Sequence, residues 1–596
     1  MGWMQAGNRQ CFPGMEATGS TDQVVRTLRE IAALLRIRGE STYRARAYDV
    51  AADRIAQVQG DLGELVRQRR LTELPGIGDA LAAKISEIVQ TGRSETLEEL
   101  HQEYPPGILE LTKVPELGPK KAQALWKALG VRDLDELERA CRRQRVRHVP
   151  GFGERTEARI LQAIEAWRAV PPRPDRRLLG NVLPRALELL RRVRGAPGVL
   201  QAELAGSVRR ACEEVADIDV VAAAKEPSSV LAALGDARLA RTLSPGRYEL
   251  TFGPDDLRLD LRVVPEEAFA AALVVETGAR AHVEKLRALA LARAFRLEDD
   301  GLFRANQRVL VQDEAAVYDA LGLPFIPPEL REDTGEIEAG LNGTRFTDLI
   351  SLTDVVGVVH SHSTWSDGKS SLEEMARAAR DRGLRFLTVT EHSQSAGYAG
   401  GLKEADLRKQ WDEIDALNGK LDGITLLKGI ESDILADGSL DFPDHVLKQL
   451  DVVIGSVHQR HKMDRAQMTE RILHAFDNPH LHILGHATGR LIQKREPAPL
   501  DMEAILDKAA ERGVVVEVNG NPLRLDLKAE HVRKAVGRGV ALVVSADSHS
   551  TREIDHLGYA VSTARKGWAR RGDILNTLEA GDFSASLRRL RGSAPV

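Results

Sequence analysis

The sequence predicts a multidomain protein with a mainly helical N-terminal region, an α+β middle and a C-terminal α/β barrel. Three observations predict it. Short apolar runs in the C-terminal third each lead into His, Asp or Glu, with helical spacing between them. A glycine-bearing turn precedes a helical pattern three times between Leu74 and Gly153. In the middle, Asp-x-Asp leads into an apolar run, and an alternating segment further on carries a third aspartate.

The C-terminal runs are specific. Val355–Val359 leads to His360 and His362, with Asp367 just beyond, and Phe386–Thr390 leads to Glu391 and His392. Ile424–Ile430 leads to Glu431, Asp451–Val457 to His458, Leu481–Gly485 to His486, and Ala541–Ala546 to Asp547 and His549. Such runs alternating with helices read as parallel strands in βαβ units. In a closed α/β barrel the C-terminal strand ends converge on one face. Imidazoles and carboxylates gathered there form a ligand set for divalent transition metals such as Zn or Mn, here a multinuclear site. A single histidine of this kind would read as a structural residue. So many in register do not.

In the N-terminal part, Leu74-Pro-Gly76-Ile-Gly78, Val114-Pro-Glu-Leu-Gly118 and Val149-Pro-Gly151-Phe-Gly153 each precede a helix. Glycines there let backbone N–H groups approach a phosphate at the helix N-terminus. One copy is a weak signal and three within about eighty residues a strong one. The middle copy has Glu116 where glycine is usual. The stretch Cys141–Arg177 is locally arginine-rich, which by itself describes only a solvated face.

The middle region carries Gly206-Ser207-Val-Arg209-Arg210, then Asp217-Ile-Asp219 before Val220–Ala223, then Asp260 within an alternating segment. A side-chain period of two sends both carboxylates of a strand-borne Asp-x-Asp to one face. Asp260 on an adjacent strand completes a cage for two Mg²⁺ ions suited to phosphoryl transfer. Gly206, Ser207 and Arg209 are placed to hold a triphosphate.

Composition narrows the rest. The chain of 596 residues exceeds a single core, and its net charge of −5 announces no global basic field. Three scattered cysteines argue against a disulfide framework or zinc knuckle, and no run is long enough to span a membrane. Residues 1–20 have no signal-peptide core and read as a disordered extension, with Met15 a candidate start. A cytoplasmic monomer is expected.

The C-terminal motifs resemble the PHP (polymerase and histidinol phosphatase) phosphoesterases over roughly residues 350–575. That resemblance implies a distorted seven-stranded barrel with up to three ions, Mn²⁺ or Zn²⁺. The implied ligands are His360, His362, Asp367, His392, Glu431, His458, His486, Asp547 and His549. The family usually has Asp where Glu391 stands, so Glu391 reads as a supporting residue. Arg490 and Arg524 are candidates for holding DNA or a phosphate. The N-terminal turns resemble helix–hairpin–helix motifs, implying backbone-mediated DNA binding at Gly76, Gly78, Gly118, Gly151 and Gly153.

Taken together, the chain resembles bacterial family X DNA polymerases with a C-terminal PHP domain. The resemblance also rests on Tyr43-Arg-Ala-Arg-Ala-Tyr48, Leu323–Glu332 and Gly485–Arg490. It implies residues 21–95 as a DNA-end-binding domain and 96–170 as a fingers-like hairpin region. It further implies a nucleotidyltransferase palm at 171–265, a nucleotide-binding subdomain at 266–330, a linker at 331–350 and the PHP domain at 351–596. The expected partners are gapped or 3′-ended DNA and dNTPs. The expected activities are gap-filling synthesis through Asp217, Asp219 and Asp260 with Mg²⁺, and metal-dependent 3′→5′ exonuclease, with abasic-site cleavage as a possible extension.

One segment departs from the family. Where Tyr-Phe-Thr-Gly-Ser and then His-Asn are usual, this chain has Val275-Glu276-Thr277-Gly278-Ala279, then His282-Val283. Thr277 and Gly278 keep the nucleotide-binding pattern, while Glu276 sets a carboxylate near a polyanionic substrate. The alternative is therefore a PHP nuclease whose polymerase part is inactive and serves as a DNA-binding module. Lys84 matches the position of a Schiff-base lysine found in some family members, although the helper lysine is replaced by Ala80. A solvated lysine near DNA phosphate is the simpler reading of Lys84.

Overall fold

The computed structural model describes residues 21–592, apart from 57–61, 75, 106, 113, 115–116, 170–175, 236, 253–256 and 460–462. The proposed extension 1–20 and Glu116 lie outside the described residues. The chain divides into two compact units, Met1–Pro174 and Asp175–Val596.

The first unit is helical. Thr21–Arg38 pairs with Thr42–Ala56, and shorter helices follow, among them Asp79–Thr91, Pro119–Leu129 and Glu154–Ala169. Leu28, Ile31, Leu35, Ala52, Ile85 and Ile88 share one buried core. Gly78 and Gly118 are the N-caps of their helices, and Gly153 accepts from the N–H of Glu157 in the third. Gly76 and Gly151 both have φ of +87°, a conformation that glycine adopts without steric cost. Glu157 accepts from the Arg147 backbone N–H at 2.9 Å and from its guanidinium at 2.7 Å, pinning the third turn to its own helix.

The second unit begins with a five-stranded sheet. Its order is Val199–Ala205, Ile218–Ala224, Leu257–Val264, Arg247–Phe252, Arg238–Ser244. Leu257–Val264 alternates strictly: Leu257, Leu259, Leu261 and Val263 enter the core, while Arg258, Asp260 and Arg262 take the other face. Two helices, Phe269–Thr277 and Arg280–Ala292, lead to a small sheet of Phe295–Glu298, Gly301–Arg304 and Gln307–Val309.

Seven parallel strands then close a barrel: Gly357–Ser361, Phe386–Val389, Thr425–Asp433, Val452–Ser456, Ile483–Leu484, Val515–Asn519 and Leu542–Ser548. Period two sorts each strand's residues into two sets. Val358, Leu426, Val453, Val516 and Val544 belong to the large core that includes the surrounding helices. Val359, Leu427, Ile454, Val515 and Val543 form a separate cluster with Phe583 and Leu587 of the Ala580–Gly592 helix. Counting on by two along this second set turns apolar into polar: Leu427–Gly429–Glu431–Asp433, Ile454–Ser456–His458, Val515–Glu517–Asn519, Val543–Ser545–Asp547–His549. On these four strands one face thus supplies an apolar floor and, beyond it, polar residues. His360 and His486 instead share the parity of Val358 and Leu484 in the large core and reach the site with positive φ.

Charged side chains join the five-stranded sheet region to the barrel within this unit. Arg490 donates to both Glu213 oxygens, at 2.9 and 2.6 Å. Lys566 and Arg210 each lie 3.0 Å from Glu332 Oε1. Although burial opposes it, these cations hold the Glu332 carboxyl down at about 2.

Candidate active sites

All nine implied barrel ligands converge. Among the described residues, every cluster of three or more His, Cys, Asp or Glu donors within 4.8 Å lies here. The clusters are His362–Asp367–His392–His549, His360–Glu431–His486, His360–His362–Asp547 and His392–Glu431–His458. Shared members make this one polynuclear arrangement.

Glu431 is its centre. Its carboxylate lies 2.8 Å from His392 Nδ1, 2.9 Å from His486 Nε2, 3.2 Å from His458 Nε2, 3.3 Å from His360 Nε2 and 3.8 Å from His362 Nε2. Asp547 Oδ1 lies 3.4 Å from His362 and 3.6 Å from His360. Asp367 Oδ1 lies 3.3 Å from His549 and 3.5 Å from His392.

The donor set fits divalent cations. His360 Nε2, both nitrogens of His362, His392 Nδ1, His486 Nδ1 and Glu431 Oε2 are buried without a hydrogen-bond partner. Buried polar atoms are seldom left so. His392 Nδ1 and Glu431 Oε2 are close, yet their geometry makes no hydrogen bond. His360, His486 and Asp547 also have positive φ, a strained backbone of the kind that concentrates at functional sites.

Electrostatics hold the ligands in different protonation states. Burial, with His549 and His392 nearby, drives His362 down to about 3, leaving it neutral. Burial opposes a charge on His458, but Glu431 and Asp433 hold it up to about 10. Burial likewise opposes a charge on Asp367, and its contact with His549 holds it down at about 2.

The supporting shell includes residues that sequence reasoning missed. Glu517 pairs with His360 Nδ1 at 2.6 Å and accepts from Ser545 Oγ at 2.6 Å. Asp433 pairs with His458 Nδ1 at 2.5 Å. Asp433 was findable, since it lies two residues past Glu431 on the same face of its strand, and Glu517 lies two residues past Val515 of the apolar floor. Glu391 turns away from the ligands. It accepts from Ser363 N at 2.9 Å, from Ser363 Oγ and from Ser366 Oγ, and burial raises it to about 7.

The two candidate arginines separate. Arg524 Nε lies 3.4 Å from Asp547 Oδ2, at the site. Arg490 is 4% exposed and spent on Glu213 and the Leu525 carbonyl, so its expected phosphate contact is corrected to a structural one.

In the five-stranded sheet, Asp219 and Asp260 face each other across a parallel strand pair. Asp217 stands on the bend before that strand and not on it, so the expected strand-borne pair is corrected. A Cβ on Gly206 would lie 1.8 Å from Asp219 Oδ2, so glycine there makes room for the carboxylate. Arg258 lies 3.5 Å from Asp217 and Arg247 lies 3.2 Å from Asp260. Burial, then repulsion from Asp217, Asp260 and Glu276, pushes Asp219 up to about 8. Asp260 Oδ1 is buried without a hydrogen-bond partner, an acceptor that fits a cation.

Glu276 belongs to this acidic group, with its carboxylate 3.4 Å from Arg247. The added charge is therefore partly neutralised. Two nucleotide-site expectations change. Arg209 donates to both Glu314 oxygens, at 2.8 and 2.6 Å, and to Thr277 Oγ1 at 2.8 Å. Thr277 is fully buried, and Arg331 also pairs with Glu314. Arg209 and Thr277 thus brace the sheet against the helix Glu314–Ala320 and do not stand free for a triphosphate. Gly206, Ser207 and Gly278 remain candidates. Lys84 donates to Thr96 Oγ1 in the first unit.

Comparisons with known proteins follow this layout. Family models match at residues 20–94 (helix-hairpin-helix domain), 108–166 (SAM-like helix-hairpin-helix tandem), 272–332 (DNA polymerase beta thumb) and 359–521 (PHP domain). A Bacillus subtilis (strain 168) protein named DNA polymerase/3'-5' exonuclease PolX is 36% identical over 581 residues, 95% of this chain and 99% of its own. The chain belongs to the bacterial family X DNA polymerases with a C-terminal PHP domain. It is an enzyme of that family. The barrel alone is also similar to proteins named "Probable phosphatase". One from Thermoanaerobacter sp. (strain X514) is 29% identical, covering 37% of this chain and 89% of its own. Another, from Clostridium acetobutylicum, is 28% identical, covering 32% and 78%.

Proposed function

We propose that this family X polymerase fills short DNA gaps in the palm and trims 3′ ends in the barrel, as a cytoplasmic, monomeric repair enzyme. The observation that carries the reading is two separate acidic sites in one chain that also matches helix-hairpin-helix models at residues 20–94 and 108–166. The resemblance sets the domain limits of this reading, with 171–265 as palm and 351–596 as PHP domain.

In the barrel, the nine ligands would hold up to three ions, Mn²⁺ or Zn²⁺. Bound ions supply Lewis acidity toward a phosphate and activate a water, so no protein nucleophile is needed. Glu517 and Asp433 fix the orientation of His360 and His458. Arg524, beside Asp547, is the cation available for the scissile phosphate. The same site suits abasic-site cleavage. No helix among the described residues is long and apolar enough to cross a membrane.

In the palm, Asp217, Asp219 and Asp260 would hold two Mg²⁺ ions. Asp219, raised to about 8, must release its proton for that. Arg247 and Arg258 neutralise the acids meanwhile and must yield. Gly206 and Ser207 offer backbone and hydroxyl donors to a triphosphate.

A second reading keeps the nuclease and demotes the palm to a DNA grip. The Arg247 bridge between Asp260 and Glu276 favours it, since it occupies the acids. Primer extension on a one-nucleotide-gapped duplex, in a His360→Ala background, separates the two. Extension that disappears with Asp217→Ala/Asp219→Ala supports the polymerase. Absence of extension from a protein whose wild type trims 3′ ends supports the second reading.

A further inference from the structure

Tyr398 is 70% exposed, yet it stands at the metal-ligand cluster. Its ring centroid is 6.5 Å from those of both His392 and His458. The interplanar angles of 51° and 72° mean that it is stacked on neither ring. An isolated exposed aromatic needs no explanation. This one has two features that ask for one.

The first is its support. Tyr398 sits in the 3₁₀ turn Gly397–Ala399, within a segment tied down at many points. Ala396 N donates to Ser393 O, Ala399 N and Gly401 N to Ala396 O, and Leu402 N to His392 O. Ser395 donates through its backbone to Asp441 at 2.7 Å and through its hydroxyl to Asp433 at 2.5 Å. A Cβ on Gly401 would lie 1.9 Å from Ser393 O, so the turn is packed against its own base. The ring is held out on a fixed support.

The second is its company. The phenol is within electrostatic reach of Glu431, Asp367 and Asp433 on the ligand side, and of Arg524. A phosphate drawn to Arg524 and the ligand cluster would therefore carry its nucleoside into the space beside the ring. A flat, sequence-tolerant aromatic face is what stacks a nucleobase.

We propose that Tyr398 is the platform for the 3′-terminal base of the strand trimmed in the barrel. The proposal rests on the exonuclease reading of that site. It gives the site a preference for ends that carry a base, independent of which base, and a weaker grip on base-free ends.

The test uses the full chain with Mn²⁺ and 5′-labelled single strands. One strand ends in an ordinary nucleotide and its twin ends in a base-free tetrahydrofuran residue. Tyr398→Ala is expected to raise KM on the ordinary end about tenfold with little change in kcat, and to leave the base-free end nearly unaffected. Tyr398→Phe, which keeps the ring, is expected to restore the wild-type KM. Equal losses on both ends, or no loss on the ordinary end, would overturn the proposal while leaving the nuclease intact. A wild type that shortens neither end would instead remove the exonuclease reading, and this proposal with it.

Discussion

The barrel and the palm are both acidic sites of the second unit, but they neutralise their charge differently. In the barrel, carboxylates meet imidazoles, and Glu431 alone touches five of them within 3.8 Å. In the palm, carboxylates meet guanidiniums supplied by neighbouring strands, and among the described residues repulsion from Asp217, Asp260 and Glu276 outweighs the pull of Arg210 on Asp219. Imidazoles can exchange a proton for a metal ion without leaving. Arginines cannot lose charge, so they must move aside. On the proposed reading the barrel is built to accept cations, whereas the palm would have to be opened for them.

Breaking Glu431 should produce the largest effect. Glu431→Ala is expected to cut 3′ trimming by about a thousandfold or more, because metal loss removes both the electrophile and the activated water. Metal content of the purified protein should drop with it, and gap filling should persist. If the variant keeps its full complement of ions, the central role given to Glu431 is wrong.

Glu517→Gln should be milder, since Glu517 contacts the ligands only indirectly, through the far nitrogen of His360 and the backbone N–H of His486. Loss of such an orienting partner typically costs about 10–100-fold in metal affinity or activity. A chelator titration followed by residual trimming measures it. An equal effect on primer extension would show that the damage is general.

Phe583→Ala tests the apolar floor. Removing a buried phenylalanine typically costs about 3–5 kcal/mol. Phe583 packs on Phe386, whose ring fills the space that a Cβ on Gly357 would take. The barrel's denaturation midpoint should fall, with the ligand geometry above unchanged at low denaturant. Calorimetry that leaves the transition where it was would argue that the C-terminal helix does not seal the barrel.

In the palm, Asp219 gives a pH signature. A folded-state value of about 8, above the ordinary carboxylate range, favours the protonated form in the folded state. Its contribution is thus most favourable at low pH and is lost as pH rises from about 4 through about 8. Asp219→Asn should then raise the thermal midpoint of the metal-free protein at pH 9 and leave it unchanged near pH 4. For the same reason, Mg²⁺ affinity of the wild type should rise with pH up to about 8. Identical pH profiles for wild type and variant would contradict the assignment.

The smallest effect is expected at Glu276. Replacing it with Gln removes a like charge from the acids but also frees Arg247 from one partner. A few-fold decrease in the KM for dNTP is expected in primer extension. A higher KM would mean that holding Arg247 matters more than repelling the triphosphate.

Much of the barrel was legible before any coordinates, because a parallel strand puts its chemistry at its end. His360, His392, His458 and His486 each follow an apolar run, so their convergence could be read from order alone. Glu517 follows the same period-two rule, but Val515–Asn519 ends in Asn, so no histidine or carboxylate at the strand end marks it. Palm residues were harder. Arg209 beside Gly206-Ser207 reads as a phosphate ligand, but its partner Glu314 lies 105 residues away and captures it.

What the sequence determined by itself is local and periodic: helix-starting glycines, strand alternation, and which residue types stand at strand ends. These follow from backbone sterics and side-chain period, which act between near neighbours. Only the tertiary structure decided which ions pair. It gave Arg490 to Glu213, Arg209 to Glu314 and Arg247 to both Asp260 and Glu276. A guanidinium on a long flexible stem binds whichever carboxylate packing brings within reach, and packing joins residues that sequence spacing does not relate.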